Sequence, residues 1–247
     1  MDIFISIYES IIWFLAGLLT GLTSFGGNLF AIPLLALAMP VQDAILLGCL
    51  CGTVMIIALA YFYYRWARWG EIVCLGLASV PGVLLGVAFL QHAGPRLLML
   101  AAGGSLVIFL LWQYISGRLH VAEAPISRWW GVPLGFASGI MMGAVGMGGP
   151  PFVLYAYLRH WSKESTIGGG SLTAAITMLA VLPAQWEAGL YSLPVLKSAL
   201  VGAIFSVCGI LASLPLVHRI DAQLFRRLLL IMIGLSALML LVRGLLA

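Results

Sequence analysis

Two glycine-rich stretches carry the residue pattern in this chain that points most directly to a chemistry. Thr23-Ser24-Phe25-Gly26-Gly27-Asn28 and Val145-Gly146-Met147-Gly148-Gly149-Pro150-Pro151 each interrupt a long apolar run. Paired glycines permit left-handed backbone. Pro150 and Pro151 lack a backbone donor and suit the first turn of a new helix. Each stretch therefore reads as helix, break, helix, with the second half-helix starting near Asn28 or Pro150. Inside a membrane, such irregular backbone survives only where protein or a water-filled cavity surrounds it. The start of a half-helix presents N–H groups at the positive end of its dipole, which suits an anion. The competing reading is close helix packing, and it fits Gly17-xxx-Gly21 and Gly139-xxx-Gly143.

Hydroxyls are the next candidates. Thr53, Ser171, Thr173 and Thr177 could line a path for an oxyanion without burying a charge, or could bond their own helix backbone. Gln113 interrupts an apolar run and fits either a cavity or the interface. The acids Asp2, Glu9, Asp43, Glu71, Glu123, Glu164, Glu187 and Asp221 all fall at or near segment ends. None is a strong candidate for a proton relay, which needs an ionisable group at depth; Glu71, Glu187 and Asp43 stay open. Outward flow of an anion down the membrane potential needs no such relay. His92, His120, His160 and His218 lie at loop edges, leaving no nucleophile–base pair or metal ligand set at depth. No enzyme activity, metal or cofactor is expected. Cys49, Cys51, Cys74 and Cys208 sit in apolar runs and read as small buried hydrophobes.

The elements that must position these groups are membrane helices. Of the 247 residues, 63% are hydrophobic and 8% charged, against roughly 25% charged in a soluble domain. The mean hydropathy is +1.13. The first 38 residues hold Asp2 and Glu9 and no basic residue, so the positive start of a cleavable signal peptide is missing. Apolar segments run over 3–38, 43–63, 71–91, 97–116, 129–158, 165–186, 194–217 and 224–246. The formal charge of +4 reads as loop lysines and arginines that set topology, not as a nucleic-acid surface. Trp66, Trp69, Trp129, Trp130, Trp161 and Trp186 cluster at segment ends, as in an interfacial belt.

The sequence also repeats. Shifted by 122 residues, Gly17, Gly21, Gly26, Gly27 and Phe30 fall on Gly139, Gly143, Gly148, Gly149 and Phe152. At a shift of 120, Gly48, Thr53 and Gly82 fall on Gly168, Thr173 and Gly202. This predicts an all-α membrane protein of about eight helical segments in two repeats, 1–117 and 128–247, joined by a loop at 118–127. If every segment crosses once, Lys and Arg divide six against six between the two sides. If 3–38 and 129–158 are re-entrant hairpins, the division becomes nine against three, which the positive-inside rule favours. Each repeat then crosses three times, the second is inverted, and both termini lie outside.

The paired Gly-Gly breaks, Gly52-Thr53, Gly170-Ser171-Leu172-Thr173 and Gly82-Val-Leu-Leu-Gly86 resemble the sulfite exporter TauE/SafE family, once per half. The resemblance implies a multi-pass transporter of sulfur-containing anions, such as sulfite or sulfoacetate, in the cell inner membrane. The predicted substrate-binding residues are Ser24, Phe25, Gly26, Gly27 and Asn28 at the first break, Gly146, Met147, Gly148, Gly149 and Pro150 at the second, and Thr53, Ser171 and Thr173 on the following helices. Asn28 faces Pro150-Pro151 across the repeat, so the halves are not interchangeable. The expected partners are the lipid bilayer and a small anion, with monomer and homodimer both open. The alternatives are a small-anion channel or a membrane subunit without transport.

Overall fold

The computed structural model describes residues 3–23, 26–116, 125–216 and 222–246. Among them are ten α-helices, two short 3-10 turns (Tyr64–Trp66 and Arg128–Trp130) and no strand. The helices are α1 (Ile3–Thr23), α2 (Gly26–Ala38), α3 (Val41–Tyr63), α4 (Trp69–His92) and α5 (Pro95–Ser116), then α6 (Gly131–Val145), α7 (Gly149–Leu158), α8 (Lys163–Glu187), α9 (Leu193–Leu216) and α10 (Ala222–Leu246). Five of them, α3, α4, α5, α8 and α9, are long and apolar enough to cross a bilayer alone. At 13 and 10 residues, α2 and α7 are not, since a crossing takes about 20.

Both long first segments are broken and fold back. In the first, the Tyr8 hydroxyl donates to the carbonyl of Leu34 at 2.8 Å, and a side chain on Gly27 would strike Thr20 and Ala16. In the second, the N–H of Ile126 reaches the carbonyl of Leu158 at 3.2 Å, so the chain ahead of α6 lies beside the end of α7. The turn between α6 and α7 rests on Gly146, whose φ of 71° places it in the left-handed region that disfavours a Cβ.

The halves exchange helices. α4 packs along α6, and α1 packs along α9. Both seams are closed by backbone contact at small residues: a Cβ at Gly17 would collide with the carbonyl of Ser206, and one at Gly139 with that of Ser79. These are the packing positions that the small-xxx-small spacing predicts. Gly82 meets Phe136 and Ile140, as Gly209 meets Phe14 and Leu18. Gly82 therefore matches Gly209 in its surroundings, not the Gly202 that the shift of 120 predicts. The contacts put α4 and α9 in register at a shift of 127, two helical turns beyond that alignment. Gly202 instead packs on Trp13 and Cys51.

Corresponding helices that touch run antiparallel. In α3 and α8, Tyr63 lies against Gly168 while Cys49 lies against Gln185. In α5 and α10, Leu100 meets Gly244 and Leu110 approaches Gly234. Large apolar side chains such as Ile57, Leu77, Leu84, Ile204 and Leu235 point outward, a surface suited to lipid and not to water.

Two placements depart from the sequence reading. Glu9 is 3% exposed, nearly two turns inside α1, with Oε2 lacking a protein partner; its carboxyl is hydrogen-bonded by Ser198 of α9. The sequence puts it at a segment end because α1 has no polar residue to mark where the buried part begins. Trp161 is 9% exposed and stacks edge-on to Phe152 and Tyr155, so it belongs to the interior and not to an interfacial belt. Trp66, Trp69, Trp129, Trp130 and Trp186 are exposed near helix ends, as expected. Cys49 and Cys51 are buried, and all four cysteines are free.

Candidate functional site

The two breaks meet. Asn28, in the first turn of α2, donates from Nδ2 to the carbonyl of Gly146 at 3.0 Å, and to that of Gly48 in α3, also at 3.0 Å. One side chain thus ties the first half's break to the second half's break, 118 residues away. Beside this junction lies a cavity of about 80 Å³, room for several waters or one small oxyanion at roughly 10–15 Å³ per water centre. The second break, from Gly146 to Gly149, forms part of its wall. α3 adds Gly52, Met55 and Ile56, and α8 adds Gly170, Ser171, Thr173 and Thr177. Thr20 of α1 and Met142 of α6, equivalent at the shift of 122, complete opposite sides.

Of the predicted binding residues, Asn28, Gly146, Met147, Gly148, Gly149, Ser171 and Thr173 line this cavity. Ser24 and Phe25 lie outside the described residues. Gly26 and Gly27 are buried in α2 and do not border it; Gly27 is a packing position against α1. Pro150 is buried in the first turn of α7 behind Gly149 and has no N–H to offer. Thr53 is turned away, with its hydroxyl on the carbonyl of Cys49 in its own helix at 2.7 Å. Gln113 does not border the cavity. Thr20, Gly52, Ser138 and Met142 line it without having been predicted to. The repeat gives a signal for Thr20 and Met142, which match at the same shift as the glycines; Ser138 offers none.

The polar inventory is specific. Among the described residues lining the cavity, none is Asp, Glu, Lys, Arg or His. Most lining hydroxyls already donate to backbone: Thr20 to Ala16 at 2.8 Å, Ser138 to Gly148 at 2.5 Å, Thr166 to Ser162 at 2.9 Å. Ser171 donates to Gly168 at 3.0 Å and Thr177 to Thr173 at 2.9 Å. Two atoms stand apart. Thr173 Oγ1 and Asn28 Oδ1 are buried and have no hydrogen-bond partner in the protein. Orphaned polar groups cost about 1–3 kcal/mol each, so a pair of them on one cavity is a feature to explain. At one end of the wall, the first N–H groups of α7 lack partners within the helix by its geometry.

The site's frame is held by a polar cluster at the far end of α7. Arg159 grips Glu71 of α4 with two bonds of 2.9 Å and reaches the carbonyl of Ile126 at 2.7 Å. The Tyr155 hydroxyl donates to the same carboxylate at 2.6 Å. Glu71 is thus engaged as a structural anchor at the membrane edge. Among the described residues no group of His, Cys, Asp or Glu is arranged to hold a metal.

No curated protein and no solved structure matches the chain. Residues 10–240 match the family model described as sulfite exporter TauE/SafE. With nearly its whole length covered and its helices apolar enough to cross a bilayer, the chain belongs to the TauE/SafE family of membrane transport proteins.

Proposed function

We propose that this protein exports a small sulfur oxyanion, sulfite or an organosulfonate such as sulfoacetate, across the cell inner membrane by alternating access. The observation that carries the reading is the cavity at the meeting point of the two broken helices, walled by α3 and α8 and free of charged side chains. Half-helix breaks at corresponding positions of two repeats are where transporters hold their ligands. The family supplies the anion class. A wall without Lys or Arg suits transit, since a buried cation would bind an anion too tightly to release it.

The inverted-repeat reading, with 1–117 and 128–247 as its halves, is supported by the antiparallel course of α3 against α8 and of α5 against α10. If α6 and α7 crossed together as one segment, α3 and α8 would be separated by three crossings and would run parallel. Re-entrant hairpins remove one crossing and account for the observed direction.

The test is efflux of sulfite from proteoliposomes, with Ala174→Phe to fill the cavity from α8. Saturable efflux and counterflow are expected in the native protein, and loss of both in the variant without loss of its cooperative thermal unfolding. Flux that rises linearly with concentration would favour a channel. Flux that survives Ala174→Phe would place the pathway elsewhere.

A further inference from the structure

Resting on the reading of the cavity as an oxyanion site, we propose that it selects a singly charged oxyanion that brings its own hydrogen-bond donor, with Asn28 Oδ1 as the acceptor that reads it. For sulfite this means the hydrogensulfite form, and among organic substrates a sulfonate carrying an N–H or O–H close to sulfur.

Three observations lead there. First, the orientation of the Asn28 amide is fixed. Both its N–H groups are held by carbonyls, of Gly48 and Gly146, each at 3.0 Å. A flipped amide would set its oxygen against two other oxygens, so the network assigns Oδ1 to the unpartnered side. That atom can only accept. Second, Thr173 is 3% exposed and its hydroxyl has no partner, while the remaining lining hydroxyls already give their protons to backbone carbonyls. One wall, Thr173 and the start of α7, can therefore donate to oxyanion oxygens; Asn28 requires a donor in return. An anion that only accepts hydrogen bonds leaves Oδ1 orphaned. Third, no cationic side chain lines the cavity. The Born cost of transfer from water grows with the square of the charge, so a dianion pays about four times what a monoanion does.

The test compares sulfamate with methanesulfonate on the purified full-length protein in lipid nanodiscs by calorimetry. Both are tetrahedral monoanions of similar size at neutral pH; they differ in an NH₂ group against a CH₃ group. One hydrogen bond to an otherwise orphaned acceptor predicts that sulfamate binds on the order of 10-fold more tightly. Sulfate, a dianion, should bind more weakly than either. Apparent affinity for total sulfite should rise as pH falls through the range where hydrogensulfite forms, while sulfamate affinity stays flat. Asn28→Ala should bring the sulfamate preference to about one. If that variant does not fold, the native protein's ligand ratio and pH profile decide alone. Equal binding of sulfamate and methanesulfonate, or sulfate binding as tightly as the monoanions, overturns the proposal. So does binding that requires sodium and ignores the NH₂ group, which would put a cation on Oδ1. Failure of every oxyanion to bind would instead remove the oxyanion reading of the cavity itself.

Discussion

Replacing Arg159 with Met tests whether the cluster at the end of α7 holds the frame of the cavity. Arg159 is 19% and Glu71 14% exposed in their side chains, and the fork makes two bonds of 2.9 Å to the carboxylate. Removing one member of a fully buried pair costs about 3–5 kcal/mol, because the other charge is left uncompensated. The residual exposure screens this pair, and Tyr155 still donates to Glu71 at 2.6 Å. A loss of about 2–3 kcal/mol is therefore expected. The second ion pair of Glu71, to Arg68 at 3.7 Å with Arg68 44% exposed, cannot substitute; such pairs contribute about 0–1 kcal/mol. Pairing Arg159→Met with Glu71→Met should recover much of the loss, since no charge is then orphaned. The assay is equilibrium unfolding in mixed micelles, read by tryptophan fluorescence for the two single variants and the double. An Arg159→Met variant within about 0.5 kcal/mol of the native protein would refute the reasoning. So would a double variant whose loss equals the sum of the singles, because distant, uncoupled sites add.

The glycine seams give a second contrast. Gly139→Ala drives a methyl into the backbone of Ser79, whereas a methyl on Gly104 would meet no heavy atom of a neighbouring element within 4 Å. Overpacking should cost the first about 1–3 kcal/mol, while Gly104→Ala should be neutral or stabilise by up to about 1 kcal/mol; thermal unfolding of both variants checks this. Thr53→Val and Thr173→Val separate two hydroxyls equivalent in the repeat. Thr53 bonds its own helix, so its loss should leave sulfite efflux unchanged, whereas loss of the unpartnered Thr173 hydroxyl should raise the half-saturating concentration by about 5- to 10-fold. Finally, Gly94→Cys and Arg65→Cys, at opposite ends of α4, should react with an impermeant maleimide from outside and inside the cell respectively. Reversed sidedness would contradict the topology drawn from the Lys and Arg division.

How much was legible depended on whether a feature is carried by spacing or by contact. The breaks were readable because Gly-Gly and Pro-Pro forbid ordinary helix regardless of surroundings, and Gly146 does adopt positive φ. The packing role of Gly17 and Gly139 followed from i, i+4 spacing alone. The register of α4 on α9 was not readable, because glycine is common enough here for Gly82 to find a false partner at Gly202. Nor could periodicity separate Thr53 from Thr173: each follows its segment's polar start, and only the neighbours decide which hydroxyl turns to its own backbone. Glu9 escapes for the same reason, since burial of a carboxyl in an apolar helix depends on Ser198 across the seam.

The frame is close to symmetric and its contents are not. Matching seams at Gly17–Ser206 and Gly139–Ser79 make the helix exchange alike in both halves, which suits a scaffold whose two access states are related by swapping the roles of the repeats. Yet α8 brings Ser171, Thr173 and Thr177 to the cavity while α3 brings Gly52, Met55 and Ile56, and Asn28 stands where the other half has Pro150. A ligand held by such a wall has one preferred orientation, with its acceptor oxygens toward α7 and α8 and its donor toward α2. Proline at the Asn28-equivalent position removes any second acceptor of this kind, so the ligand cannot turn over as the repeats exchange roles. On the proposed mechanism the two access states then differ in energy when loaded. Restoring symmetry at that position with Pro150→Asn should narrow the difference between affinities measured from the two sides of the membrane.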